Sequence, residues 1–218
     1  MGILALGGGA LDPQVCDWVS RRFRGDRPKV VLLPTATADL PEIVVRFYER
    51  FAATGCEPSH VPLHGVPPDD ARERIAGADA VLITGGNTAN ALAIWRLHGI
   101  DEALRTAWER DALLWGSSAG MICWFEAGVT DSFRADLDGM RDGLGFLPGS
   151  ACPHYDGEER RRPVYTRLVR DEGFPPGVAA DDGTGLWYEG AELREVVAFR
   201  PGAGAYRVEP SGESPLLV

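Results

Sequence analysis

The densest chemical signal in the chain is the run Leu113-Leu114-Trp115-Gly116-Ser117-Ser118-Ala119-Gly120-Met121-Ile122. An apolar, strand-like segment meets Gly-x-Ser-x-Gly and passes into a helix-like segment, the context a nucleophile elbow requires. Such a turn holds Ser118 at the carboxyl end of its strand with the hydroxyl exposed. The flanking glycines let helix and strand approach closely. The helix N-terminus that follows aims backbone N–H groups at a developing oxyanion. Taken blandly, the run is a tight turn that contains serines; its strand–turn–helix setting favours the chemical reading.

A serine nucleophile needs a base within hydrogen-bond reach, and the chain has four histidines. His60 and His64 flank a weak early strand, and His98 precedes Gly99 at a helix end, where a capping role suffices. His154 follows Ser150-Ala151-Cys152-Pro153, a short strand. If that strand is parallel to the elbow strand, His154 shares its sheet edge with Ser118, and open α/β sheets build their sites on that edge. The base in turn needs a carboxylate to hold its tautomer. Asp182, after Val178-Ala179-Ala180, obeys the same strand-end rule and is preferred. Asp131, on the loop beyond the elbow helix, is the alternative, with Asp181 and Glu126 behind it. Gly85-Gly86-Asn87-Thr88 ends the preceding strand. A glycine N–H there is a candidate second oxyanion donor beside that of Ala119. Asn87 is both a candidate substrate contact and, with Thr88, a candidate helix cap. Gly7-Gly8-Gly9 lacks the third glycine of the dinucleotide fingerprint, since position 12 is Asp12.

These residues need a scaffold that brings strand ends together. Apolar runs Ile3–Leu6, Lys29–Leu33, Ala80–Thr84 and Leu113–Trp115 alternate with helical patterns, including one opened by Pro41 with Val44, Phe47, Tyr48 and Phe51 on its face. A weak strand is expected over His60–Leu63. Continuous apolar strands alternating with helices imply a mostly parallel sheet covered by helices on both faces, an α/β three-layer sandwich. Four closely spaced segments after Gly177, separated by glycine-rich turns, predict antiparallel strands at one edge. The chain, 218 residues long, reads as a single domain over 1–218.

Composition sets outer limits. Hydrophobic residues are 44% and charged residues 25%, which excludes disorder. A formal charge of −10 argues against nucleic acid or an anionic membrane as partner. All but one of the 22 basic residues are arginine, so lysine chemistry would have to use Lys29. Cys16, Cys56, Cys123 and Cys152 show no metal-ligand spacing and are too sparse for a disulfide scaffold. They fit buried thiols in a reducing compartment. No metal or cofactor is expected. With no apolar run long enough for a membrane span and no signal-peptide pattern at the start, a cytoplasmic protein is expected.

Taken in order, Gly85-Gly86-Asn87-Thr88, Gly116-x-Ser118-Ala119-Gly120 and Pro153-His154 resemble the peptidase E (aspartyl dipeptidase) family of serine peptidases, which is related to cyanophycinase. The likeness extends from Leu4 to the Asp181-Asp182-Gly183 turn. It implies the class I glutamine amidotransferase-like fold. It also implies Ser118 as nucleophile, His154 as base, and the N–H groups of Gly86 and Ala119 as oxyanion hole. The family's third member is typically a glutamate before a glycine. Asp182, one methylene shorter, stands there, and Asp131 stays the alternative. Gly157-Glu158-Glu159-Arg160 resembles the family's Gly-Glu-x-Arg context, which implies Arg160 as the reader of a substrate aspartyl group; a solvated helix start is the plainer reading. The expected activity is hydrolysis of short peptides, dipeptides with N-terminal aspartate first among them, with a small peptide as partner and a homodimer allowed. Cyanophycinase-like or other amidase specificity, and a non-catalytic amidotransferase-like binding protein, are the competing expectations.

Overall fold

A computed structural model describes residues 2–217. The chain opens with strand β1 (Gly2–Leu6), helix α1 (Pro13–Ser20), β2 (Lys29–Leu33), a 3-10 turn at Thr35–Thr37 and α2 (Pro41–Phe51). It continues through β3 (Glu57–His60), α3 (Ala71–Ala76), β4 (Ala80–Ile83), α4 (Thr88–His98) and α5 (Ile100–Glu109). The elbow region is β5 (Leu113–Ser117), α6 (Ala119–Ile122) and β6 (Phe125–Thr130), followed by β7 (Asp138–Met140), β8 (Leu147–Cys152) and α7 (Arg161–Asp171). Five strands end the described chain: β9 (Gly177–Ala180), β10 (Thr184–Glu189), β11 (Glu192–Ala198), β12 (Ala205–Glu209) and β13 (Gly212–Leu216).

The early strands form a parallel block, β1-β5-β4-β2-β3, extended beyond β1 by antiparallel β10 and β11. Period-2 alternation sends the side chains of this sheet to two faces. Ile3, Ala5, Val31, Leu33, Val81, Ile83 and Leu114 pack with Ile75 of α3, Trp95 of α4 and Leu104 of α5. Leu4, Leu6, Val30, Leu32, Leu82 and Trp115 pack on the other side with Val15 and Val19 of α1 and Phe47 and Phe51 of α2. Both faces are covered, so the central strands β1, β5, β4 and β2 are mostly apolar, while the edge strand β3 is polar, and the arrangement is the expected three-layer α/β sandwich.

The later strands divide differently from the expectation. Only β10 and β11 join the edge of the first sheet. The rest belong to a second sheet, in the order β13-β12-β9-β8-β6-β7. Its central pairs β6–β8 and β8–β9 are parallel. One face carries Ala151, Val178, Ala180 and Ala205 into the main core, and the other packs Val129, Cys152, Ala179 and Val208 against Tyr165, Leu168 and Val169 of α7. Small residues on the inner face let this sheet close on the first. The strand expected at His60–Leu63 lies earlier, at Glu57–His60, because Lys29–Leu32 of β2 pairs with that stretch.

The α2 face carries much of the first sheet's second core. Phe47 is fully buried, meeting Tyr48 edge-on and Phe51 at a tilt. Phe47→Ala should lower stability by about 3–5 kcal/mol, the usual cost of a buried aromatic truncation. Urea unfolding with an unchanged m-value would register it.

Candidate active site

Ser118 occupies the turn between β5 and α6 with φ 60° and ψ −116°. This left-handed backbone is costly for a non-glycine residue and is held only where surrounding structure dictates it. Here the determinants are close backbone contacts. A Cβ on Gly116 would lie 2.6 Å from the Ile83 carbonyl oxygen and 2.7 Å from that of Gly120. A Cβ on Gly120 would lie 2.5 Å from the same Ile83 oxygen. The Ser118 N–H donates to the Leu6 carbonyl at 3.2 Å, and the Ser118 carbonyl accepts from Met121 and Ile122. The elbow is thereby clamped between β1 and β4.

The turn after β4 packs against the elbow. The Ala119 N–H is the first of α6, where no carbonyl of the same helix can accept it. Gly85 packs against Ser118: a Cβ there would sit 3.2 Å from the serine Cβ. Gly86 has φ 117°, and a side chain would strike the Ala36 carbonyl at 2.0 Å, so glycine is required. Asn87 caps α4, its Oδ1 accepting from the Asn90 N–H at 2.9 Å while its Nδ2 donates to the Ser132 carbonyl at 3.0 Å. Both ends of the Asn87 amide are thus engaged within the fold, one of them as the α4 cap. Ser132 Oγ accepts from the N–H groups of Thr88 and Ala89. Sequence reading missed this serine, whose partners in α4 lie over 40 residues away.

His154 follows β8 and also has positive φ, 52°. Its loop is pinned to β9 by the Tyr155 N–H, which donates to the Ala180 carbonyl at 3.1 Å. Nδ1 of the ring and Oδ1 of Asp182 are 2.6 Å apart. The carboxylate is packed between two backbones: a Cβ on Gly8 would lie 2.1 Å from its Oδ1, and one on Gly157 would lie 2.5 Å from its Oδ2. The Gly8 Cβ would also come within 3.4 Å of His154 Cε1. Gly8 and Asp182 form a parallel bridge linking the ends of β1 and β9. The glycine run after β1 thus packs against the His154–Asp182 pair, two residues beyond the Leu6 carbonyl that holds Ser118.

The other carboxylates face elsewhere. Asp131 is exposed and lines a cleft with Ala135, Leu137, Glu158, Glu159 and Arg160. Asp181 is buried, and its Oδ2 accepts from the Gly204 N–H at 2.9 Å; burial raises its pKa above the ordinary carboxylate value. Adjacent strand-end residues point to opposite faces, which separates it from His154. Glu126 accepts from the Gly149 N–H. Arg160 is largely exposed, donating to Asp136 Oδ1 at 2.5 Å and to the Ala135 carbonyl at 3.2 Å. The buried arginine of the charge run is its neighbour Arg161, which holds Glu158 and the Val129 carbonyl. Of the other histidines, His60 meets Tyr48 Oη and His64 meets the Thr35 carbonyl.

Two further residues support Asp182. Asp156 Oδ1 accepts the Asp182 N–H at 2.9 Å, while Arg200 donates to the Asp182 carbonyl at 3.0 Å and also pairs with Asp156. Burial pushes the Asp156 carboxyl up, but the Asp182 N–H and Arg200 outweigh it and hold its pKa below the ordinary value. All four cysteines are unpaired and buried. No cluster of metal-ligating side chains is found among the described residues.

The fold is α/β, with an elbow serine at the end of β5 and a His–Asp pair on the loops after β8 and β9. The sequence model of Peptidase family S51 matches residues 3–196. The chain belongs to that family and is a peptidase of the peptidase E type. "Uncharacterized peptidase YgaJ" of Bacillus subtilis (strain 168) is 41% identical over 211 residues, covering 94% of this chain and 91% of the relative. "Peptidase E" of Shewanella denitrificans is 28% identical over 137 residues, 59% of this chain and 58% of the relative. A crystal structure of a peptidase from an acI-B1 Actinobacterium shares the fold, with TM-score 0.75 at 15% identity, over 100% of this chain and 94% of that one.

A carboxylate with a depressed folded pKa stabilises the fold above its unfolded value, about 3.9, and that contribution is lost as pH falls through the lower folded value. Asp156→Asn should therefore lower Tm at neutral pH and flatten the loss of Tm below about pH 4. An acid limb parallel to that of the parent would remove this role.

Proposed function

We propose that the protein is a serine peptidase for short peptides, with dipeptides bearing N-terminal aspartate as the preferred class. One observation carries the reading: a strained Ser118 bonds the end of β1, and a hydrogen-bonded His154–Asp182 pair packs on the glycine loop that follows it. The Asp182 carboxylate accepts the His154 Nδ1–H, which leaves the Nε2 lone pair as base. Nε2 takes the Ser118 proton as Oγ attacks the scissile carbonyl. The tetrahedral oxyanion is stabilised by the N–H groups of Gly86 and Ala119. His154 returns the proton to the leaving amine, the C–N bond breaks, and an acyl-serine remains. Water, deprotonated by the same imidazole, hydrolyses the ester and regenerates Ser118. Free, buried thiols suit a reducing cytoplasm, and no described helix is long and apolar enough to cross a membrane.

Ser118→Ala should cut hydrolysis of Asp-X dipeptides by at least about 10⁴-fold while leaving circular dichroism and Tm close to the parent. A fluorophosphonate should label the parent at Ser118 and leave this variant unlabelled. Undiminished turnover by the folded variant would refute the assignment.

The third member is tested by a pair of substitutions. Asp182→Asn should lower kcat by about 10³–10⁴-fold, because an amide cannot hold the imidazole in the reactive tautomer. Asp131→Asn should stay within about threefold, having no contact with the ring. Steady-state kinetics on one substrate decides between them, and the reverse ranking would move the role to Asp131.

A further inference from the structure

A cavity of about 280 Å³ opens on the α2 side of the elbow. Gly85 and Ser117 line it beside the nucleophile, and Leu82, Ile43, Thr37 and Arg46 are among its other walls. Gly85 is the residue whose Cβ would lie 3.2 Å from Ser118 Cβ and 3.7 Å from Oγ. The cavity and the nucleophile therefore share a wall one glycine thick. Its size suits one amino-acid residue, and none of its lining residues has a part in the mechanism above.

Two charged groups line the cavity, Arg46 and Asp12. Their closest approach is 3.7 Å, and each side chain is half exposed. That separation exceeds a good charge-assisted hydrogen bond. The Asp12 carboxylate is folded back over Gly9, where a Cβ would strike Oδ2 at 2.4 Å. The guanidinium keeps its fork of donors for an incoming partner, and a carboxylate fits that fork in two parallel bonds. Thr84 and Thr37 add hydroxyls to the walls, their Oγ1 atoms 3.5 Å apart.

The cleft on the other side of the site has the opposite character. Asp131, Glu158, Glu159 and Arg160 line it, and the Arg160 guanidinium is engaged by Asp136 and the Ala135 carbonyl. Glu158 is paired with Arg161, and the remaining carboxylates, Asp131 and Glu159, stand beside an arginine that is already engaged, which disfavours an acidic group. In a chain of net charge −10, a negatively charged substrate needs a local cation, and Arg46 lines the cavity that Gly85 and Ser117 help to wall.

We propose that this cavity is a substrate subsite in which Arg46 binds a carboxylate of the peptide, either the aspartyl side chain or the C-terminal carboxylate. The proposal rests on the peptidase reading and adds the residue that selects acidic substrates.

The test compares Asp-Leu, Asn-Leu and Asp-Leu amide as substrates of the parent, Arg46→Ala, Arg46→Lys and Arg160→Ala. In the parent, kcat/KM should favour Asp-Leu over whichever peptide lacks the bound carboxylate. In Arg46→Ala that preference should shrink about tenfold or more, mainly through KM, and Arg46→Lys should restore part of it. Collapse of the Asp/Asn ratio assigns the side-chain carboxylate; collapse of the acid/amide ratio assigns the C-terminal one. Both ratios unchanged in Arg46→Ala, or lost in Arg160→Ala instead, would overturn the proposal. Calorimetric binding of the same peptides to Ser118→Ala, with and without Arg46→Ala, gives the comparison without turnover. A failed peptidase reading, seen as no turnover and no serine labelling, is thus distinguished from a failed subsite.

Discussion

The site depends on two backbones that approach with no side chain between them. After β1 the chain runs through Gly7 and Gly8 beside the end of β9, close enough that Gly8 bridges Asp182. A Cβ on Gly7 would lie 2.2 Å from the Asp181 carbonyl oxygen, and one on Gly8 2.1 Å from the Asp182 carboxylate. Any side chain here would drive the two sheets apart. The elbow serine belongs to the first sheet and the His154–Asp182 pair to loops of the second, so this seam sets whether they share an edge. The hydrogen bond at 2.6 Å between His154 and Asp182 is a consequence of that packing.

Around the seam, charge serves alignment. Arg200 and Asp156 grip the main chain of Asp182 from both its N–H and its carbonyl. Arg161, almost fully buried, ties the start of α7 to the Val129 carbonyl in β6 and so fixes the loop that leads from His154. A buried guanidinium left without those acceptors would be strongly destabilising, which makes the loop geometry a condition of folding. Exposed pairs such as Arg160–Asp136 contribute little and can exchange partners.

Much of this was legible from residue types and spacing. The elbow, the glycine turn after β4, and the strand ends at His154 and Asp182 each carry a local signature of apolar run followed by turn chemistry. The parallel strands and their two helical layers follow from the same alternation. Less legible were the polar strands β3 and β7 and the capping serine Ser132, because their support comes from distant partners. The division into two sheets was also hidden. β12 reads like β10 in sequence, yet β12 pairs with β9 and β10 pairs with β1.

The sequence by itself determined the chemical groups available and the local turns that expose them, since elbow strain, glycine conformations and strand periodicity depend on neighbours a few residues apart. Only the tertiary structure decided which groups meet. Asp181, Asp182, Asp131 and Glu126 are equally acidic on paper, and Arg46, Arg160 and Arg161 equally basic. Which carboxylate faces the imidazole, and which arginine lines a cavity beside the elbow serine, follow from sheet closure and strand-face parity. Those are long-range packing outcomes that no short stretch of sequence encodes.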